Sequence, residues 1–242
     1  MLSRRYEAAS EIIERAVASG RQPTEADAKT LLHCIGLASP SSVFSASIHA
    51  LASQIEHLRA PFVAKVVSPA IRHKTEVGGV VCALQDAESV TRACGEILSR
   101  VKKLRPDAAI EGFLIEEYRP AFPEWLLAGR VDSVLGPVVS LGMGGVHTEL
   151  LRIVEHKLAP LRAQDVDALI DATPLKICLA GYRGQPAFDR QLARDAISSI
   201  SDFLCTPVFA KHVSEIEINP ISMSDQGVYA LDALLILRGL KP

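Results

Sequence analysis

Near the C-terminus, Ser224-Asp225-Gln226-Gly227 is a turn signal between two β-rich runs, residues 213–218 and 228–234. A short turn between such runs dictates an antiparallel hairpin, and the centre of the turn sets its register. Centring it between Asp225 and Gln226 places Asn219 opposite Asp232, whether the loop is of two residues or four. Directly opposed side chains sit roughly 4.5–5.5 Å apart at Cβ, and Glu217, two residues before Asn219, projects from the same face. An amide oxygen and two carboxylates brought together in this way suit Mg²⁺, which takes one or two protein ligands and leaves the rest to phosphate and water. The same residues also fit the polar outer face of an edge hairpin.

Upstream of the hairpin, the pattern mixes helical and strand periods. Ala9, Ile12, Ile13, Ala16 and Val17 follow helical spacing until Gly20. Thr24 and Asp27 form a capping-box-like start for a helix through Leu32, and residues 47–58 read as a further amphipathic helix. Strands are expected at 62–67 and 80–84, joined by a polar loop, 70–77. Asp86 then caps a helix with Val90, Ala93, Cys94, Ile97, Leu98 and Val101 on one face. Strands at 112–118, 124–131 and 137–141 and helices at 163–171 and 189–204 complete the chain. Without regular βαβ alternation, this order argues for an α+β fold.

Composition removes several classes. Of 242 residues, 48% are hydrophobic and 22% charged, which is ordinary for a globular chain. Lys plus Arg is 26 against 28 Asp plus Glu, so the basic excess of a phosphate-neutralising nucleic-acid binder is missing. No apolar run approaches the ~18 residues of a membrane span. Glu7, Glu11, Glu14 and Arg15 interrupt what would be a signal peptide's apolar core, so a cytoplasmic location is expected. The five cysteines form no CxxC and no zinc-type cluster, and they read as buried reduced thiols. The phosphate loop GxxxxGK[ST] and the dinucleotide motif GxGxxG are both absent.

Four further features carry chemistry. Lys65 lies inside the otherwise apolar run Phe62-Val63-Ala64-Lys65-Val66-Val67, where it either faces a phosphate or points outward from a half-exposed strand. His73, in the polar loop before Gly78-Gly79, is a nucleophile near neutral pH that can take a phosphoryl group, or a solvated loop histidine. Glu116 and Glu117 end one strand and Glu124 begins the next; such carboxylates can hold ribose hydroxyls or metal, or simply mark strand ends. Gly144 and Gly145 either present backbone N–H groups to an anion or form a tight turn.

Taken together, these segments resemble a known family, the ATP-grasp subunit or domain of the NDP-forming acyl-CoA synthetases, relatives of succinyl-CoA ligase β subunits. The resemblance rests on TEADAK at 24–29 with CIGL at 34–37, and on PFVAKVVSPAIRHKTEVGG at 61–79. FLIEEY at 113–118, LGPVVSLGMGGVHTE at 135–149, KLAPL at 157–161, GYRG at 181–184 and EIEINP at 215–220 extend it over almost the whole chain. The HKTEVGG and EIEINP blocks are the specific ones. Glu116 stands where a glutamine is usual, Ala128 where a glycine falls, and Ile153 where an aspartate often follows.

The resemblance implies an ATP-grasp fold, two α+β lobes with a nucleotide cleft between them. A smaller lid lobe would span 23–111, and a larger lobe, 1–22 with 112–242, would carry the metal-binding hairpin. ATP/ADP and Mg²⁺ are the implied cofactors. Lys65, Glu116, Glu117, Glu124, Gly144 and Gly145 would contact nucleotide, and Asn219, Asp232 and Glu217 would hold Mg²⁺. His73 would correspond to a phosphohistidine relaying phosphate between ADP and a histidine on the partner. The CoA-binding and ligase domains of the family have no counterpart here, so a CoA-binding α subunit carrying the first phosphohistidine and the acyl site is the expected partner. The implied reaction is ATP + carboxylate + CoA to acyl-CoA + ADP + phosphate. An ATP-grasp carboxylate ligase without phosphohistidine and a catalytically inactive nucleotide-binding subunit are the alternatives.

Overall fold

In the computed structural model, which describes residues 4–240 apart from 72, 122, 146, 147, 185 and 225, the chain divides into two units. Residues 1–39 with 120–241 form the larger and residues 40–119 the smaller. Helices α1 (Arg4–Ser19) and α2 (Glu25–Cys34) open the larger unit. The smaller unit follows with β1 (Ser42–Ser45), α3 (Leu51–Gln54), β2 (Phe62–Val67), β3 (Val80–Leu84), α4 (Ala87–Leu104) and β4 (Gly112–Glu117). Short 3-10 turns lie at Ile48–Ala50 and Lys74–Val77. The chain returns to the larger unit with β5 (Trp125–Asp132), β6 (Gly136–Met143), α5 (Thr148–Leu151) and β7 (Val154–Leu158). Helices α6 (Ala163–Asp171), α7 (Leu175–Leu179), α8 (Arg190–Cys205) and α9 (Pro207–His212) come next, then β8 (Val213–Ser224), β9 (Gly227–Ala230) and β10 (Ala233–Leu237).

In the smaller unit, an antiparallel sheet of order β1-β4-β2-β3 packs one face on α4. Asp86 accepts the Ser89 N–H at 2.7 Å and closes a capping box, which starts α4 where the chain pattern requires it. Val90, Ala93, Cys94, Ile97 and Val101 of α4 are buried as a single stripe. Those with bulk meet Phe62, Ala64, Val66, Phe113 and Ile115 of the sheet, each large side chain contributing roughly 1.5–3 kcal/mol. Burial pushes the Cys94 thiol up to about 12, so it stays protonated and serves as packing.

In the larger unit, an antiparallel sheet runs β10-β8-β5-β6-β7, with β9 also paired to β8. One face, with Trp125, Leu127, Val139, Leu141, Ile216 and Ile218, is buried in the core that also includes the inner faces of α1, α2, α6 and α8. Helix α8 comes so close to β5 that a Cβ on Gly129 would meet Leu204 and Ile200 at 2.5 and 2.9 Å. Alternation along the strands leaves Ala128, Arg130, Ser140, Glu215 and Glu217 on the opposite face. Among the described residues, no helix is long and apolar enough to cross a membrane.

Three expectations are corrected. The unit boundaries fall at 39/40 and 119/120 rather than at 22/23 and 111/112. Leu31 and Leu32 of α2 are buried in the larger core, and β4 is tied into the smaller sheet by full ladders to β1 and β2. The helix expected over 47–58 is a 3-10 turn and a single α-turn: only Leu51, Ile55 and Leu58 are fully buried, with Ile48 packed partly against the same core. Of the five cysteines expected to be buried, only Cys94 is; Cys34, Cys178 and Cys205 are half-buried, and Cys82 is exposed on a strand at the edge of its sheet.

Candidate active site

Strand β8 sets Ile218 opposite Ala233 and Ser224 opposite Gly227, so the turn is of two residues and Asn219 falls opposite Asp232, as the sequence predicts. The Asn219 N–H donates to the Asp232 carbonyl at 3.2 Å. The Asp232 carboxylate accepts the Ala233 N–H at 2.8 Å. Asn219 Oδ1 accepts the Gly145 N–H at 2.7 Å, and its Nδ2 donates to Glu217 Oε1 at 3.3 Å, which orients the amide.

The β6–α5 turn and the start of β5 join this patch. The Gly144 N–H donates to the Glu124 carbonyl at 2.8 Å, and a Cβ on Gly144 would meet the Trp125 backbone at 2.5 Å. Gly145 has φ +72°, and a Cβ there would overlap the Glu124 carboxylate. Glu124, Gly144, Gly145, Glu217, Asn219 and Asp232 therefore share one site. The expectation that Gly144 and Gly145 offer their N–H groups to an anion is corrected: both groups donate within the protein, and the glycines instead allow a close approach. Gly145→Ala is expected to cost about 1–3 kcal/mol from the left-handed backbone alone, more if Glu124 cannot move aside, as read by urea unfolding.

Beside this patch, the polar sheet face is hollowed into a cavity of about 370 Å³, lined among others by Ala128, Arg130, Ser140, His156, Glu215 and Glu217. Glu217, Ala128, Ser140 and His156 lie directly across four neighbouring strands. Ser140 Oγ and His156 Nδ1 are 2.7 Å apart. These neighbours of Glu217 escape sequence reasoning because β7 shows no strand alternation, so nothing points His156 at Ser140.

In the smaller unit, β2 is buried along its whole length and Lys65 is not outward-facing. Lys65 Nζ meets Glu116 Oε2 at 2.7 Å, with the two side chains 7% and 2% exposed. Glu116 and Glu117 do not act as a carboxylate pair: Glu117 points to the other face and accepts the Arg59 N–H at 3.1 Å. His73 is exposed, immediately before the Lys74–Val77 turn, and its side chain does not cap that turn.

The ATP-grasp domain profile matches residues 15–237, almost all of this architecture. The chain belongs to the ATP-grasp family. It is 30% identical to the β subunit of an ADP-forming acetate–CoA ligase I from Pyrococcus furiosus, over 95% of this chain and 97% of that one. A longer ADP-forming acetate–CoA ligase I from Archaeoglobus fulgidus is 28% identical over 96% of this chain, which spans 33% of that protein. The structure is similar to an acetyl-coenzyme A synthetase from Candidatus Korarchaeum cryptofilum solved with coenzyme A and Ca-AMPCP. That likeness has a TM-score of 0.88 and 31% identity, and it covers 95% of this chain and 100% of that one. The same synthetase, solved with Mg-AMPPCP and its phosphohistidine segment pointing towards the nucleotide-binding site, gives a TM-score of 0.79 at 27% identity.

The hairpin's donor set fits magnesium. Among the described residues, no group of three or more His, Cys, Asp and Glu side chains is placed to enclose a metal by itself. What the hairpin offers is the Asp232 and Glu217 carboxylates and the Asn219 amide oxygen, whose second lone pair is additional to the Gly145 bond. Hard oxygens in that small number leave an octahedron to be completed by phosphate and water, the habit of Mg²⁺ and not of structural zinc.

Proposed function

We propose that this chain is the ATP-grasp subunit of an ADP-forming acyl-CoA synthetase, catalysing ATP + carboxylate + CoA to acyl-CoA + ADP + phosphate together with a CoA-binding partner. The observation that carries this reading is end-to-end similarity to a β subunit of that activity, in a chain whose hairpin brings Asn219 and Asp232 together. Lys65 binds phosphate oxygens. Glu117 and Glu124 lie along the nucleotide site, and Glu116 acts on it through Lys65. Asn219, Asp232 and Glu217 hold Mg²⁺, and Glu217 also orients the Asn219 amide. A bound Mg²⁺ supplies neutralisation of the charge on the transferring phosphoryl group.

His73 is the acceptor. Its ring nitrogen attacks the γ-phosphorus, a P–N bond forms, the bond to the bridging oxygen breaks, and ADP leaves. The P–N bond then breaks as a histidine of the partner takes the phosphoryl group and passes it to the substrate carboxylate. The CoA thiol displaces phosphate from the resulting acyl phosphate. Dividing the path into covalent steps replaces one difficult displacement by several easier ones.

The test is reconstitution. The full chain mixed with the CoA-binding protein is expected to release ADP beyond one stoichiometric phosphorylation, and to form acyl-CoA, only when carboxylate and CoA are both present, and neither protein alone is expected to form acyl-CoA. ATP bound but never turned over with the partner present would assign the chain to nucleotide sensing instead.

A further inference from the structure

The end of α4 with the residue that follows it, 100–105, reads Arg-Val-Lys-Lys-Leu-Arg, four cations and no acid in a chain of net charge −2. Cations at a helix C-terminus complement its dipole, which accounts for Lys102 and Lys103, both exposed. It does not account for the direction of Arg100 and Arg105. Both turn onto the loop that joins β2 to β3 and carries His73.

Each arginine meets one end of that loop. Before His73, the Ala70 carbonyl accepts from Arg105 Nη2 at 3.3 Å. After it, Arg100 lies across Gly78, where a Cβ would meet its Nη1 at 2.9 Å and its Cδ at 3.1 Å. Gly78 has φ +61°, so its missing side chain serves both the left-handed backbone and the seat of the arginine. Between these ends, Ile71 is buried in the smaller core, and the Gly78 and Gly79 N–H groups donate to the Thr75 and Lys74 carbonyls at 3.0 and 2.7 Å. His73 is exposed on this braced segment. The acid one turn back on α4, Glu96, is 3.9 Å from Arg100 Nη2, beyond hydrogen-bond distance. A guanidinium has five N–H donors in a fork suited to phosphate, so each arginine can brace the loop and still receive an anion. Buried Lys74 and exposed Glu76, the charges of the turn itself, add no net charge.

We propose that Arg100 and Arg105 are the counter-charges for the phosphoryl group carried by His73, held at the two ends of its loop. Phosphorylation brings up to about two negative charges to the loop, and cations bracketing it favour the phosphorylated ring over the free one. Because both guanidinium groups reach solvent, the gain is modest and screened by salt. The proposal rests on the reading of His73 as the phosphoryl acceptor.

The experiment phosphorylates the full chain with phosphoramidate, an anionic donor that needs neither nucleotide, metal nor partner. A His73 ring nitrogen attacks phosphorus, a P–N bond to the ring forms, the bond to the leaving nitrogen breaks, and ammonia departs. Mass spectrometry of the peptide carrying residue 73 follows the rate. At about 10 mM salt, where screening extends to about 30 Å, R100Q/R105Q is expected to react about tenfold more slowly than the parent. R100K/R105K, which keeps both charges, is expected to stay within about twofold. At about 1 M salt the screening length falls to about 3 Å, and the deficit of the glutamine variant should shrink to within about twofold. A merely structural role would lower the melting temperature and leave no salt-dependent gap. A folded R100Q/R105Q protein that reacts at the parental rate in low salt overturns the proposal, and so does an equal loss in R100K/R105K. If the glutamine double variant does not fold, R105Q carries the same test with an expected loss of about threefold, and a parental rate again overturns the proposal. H73A, incubated with γ-labelled ATP in the reconstituted enzyme, separates the two readings. Label that persists there removes the acceptor assignment; label lost there, with a parental phosphoramidate rate in R100Q/R105Q, removes the counter-charge role alone.

Discussion

His73→Ala is expected to stop acyl-CoA formation by the reconstituted enzyme, lowering kcat at least about a thousandfold, while leaving the fold and nucleotide affinity intact. The size follows from chemistry: when the covalent acceptor of a relay is deleted, the remaining groups act on a step that no longer exists, and losses of ~10³ or more are usual. The selectivity follows from placement. His73 is exposed, and its side chain does not cap the turn that begins beside it, so truncation creates no cavity and strands no buried group. Incubation with γ-labelled ATP and Mg²⁺ in the presence of the partner is expected to leave acid-labile, base-stable label on the parent chain and none on the variant. ADP binding, measured by calorimetry, should agree between the two within about twofold. Acyl-CoA formation that survives the substitution would favour a carboxylate ligase that makes its acyl phosphate directly.

Much of this site is legible in the sequence because its key pair is local. Asn219 and Asp232 belong to one hairpin, and a turn signal between two β runs is enough to bring them opposite each other. The buried stripe of α4 is equally legible, since capping and 3.6-residue spacing act within one helix. Pairings between distant segments are not. Lys65 reads as either buried or outward until β4 is laid beside β2 and Glu116 arrives at its ammonium. The glycine pair fails in the other direction. Gly144-Gly145 does form a tight turn, but its N–H groups are taken by Glu124 and Asn219, partners with no sequence link to it. Strand β7 and the short helices α5, α7 and α9 lack a periodic face long enough to announce them.

Lys65→Met is the substitution with the largest expected effect on stability. In the β2–β4 ladder, Lys65 lies opposite Leu114 and Glu116 opposite Val63, so the two charged residues sit diagonally on one face. Both are almost fully enclosed, and removing the ammonium leaves the Glu116 carboxylate without its 2.7 Å counter-ion. Breaking a buried pair from one side typically costs about 3–5 kcal/mol, a large share of the ~5–15 kcal/mol that holds a domain folded. Urea unfolding should show that loss, and calorimetry should show ATP binding weakened roughly ten- to a hundredfold, the worth of one charge-assisted contact to phosphate. The double variant Lys65→Met with Glu116→Leu separates the two roles. With both charges gone, the face becomes apolar and most of the stability is expected to return, whereas ATP affinity is not. A double variant that regains stability and also binds ATP like the parent would show that Lys65 serves the sheet alone. Glu116→Gln provides the opposite control: it keeps a hydrogen-bond acceptor beside Lys65 but removes the charge that competes with phosphate for the ammonium. ATP binding by that variant should tighten, because a lysine no longer neutralised within its own sheet directs its full charge to the nucleotide.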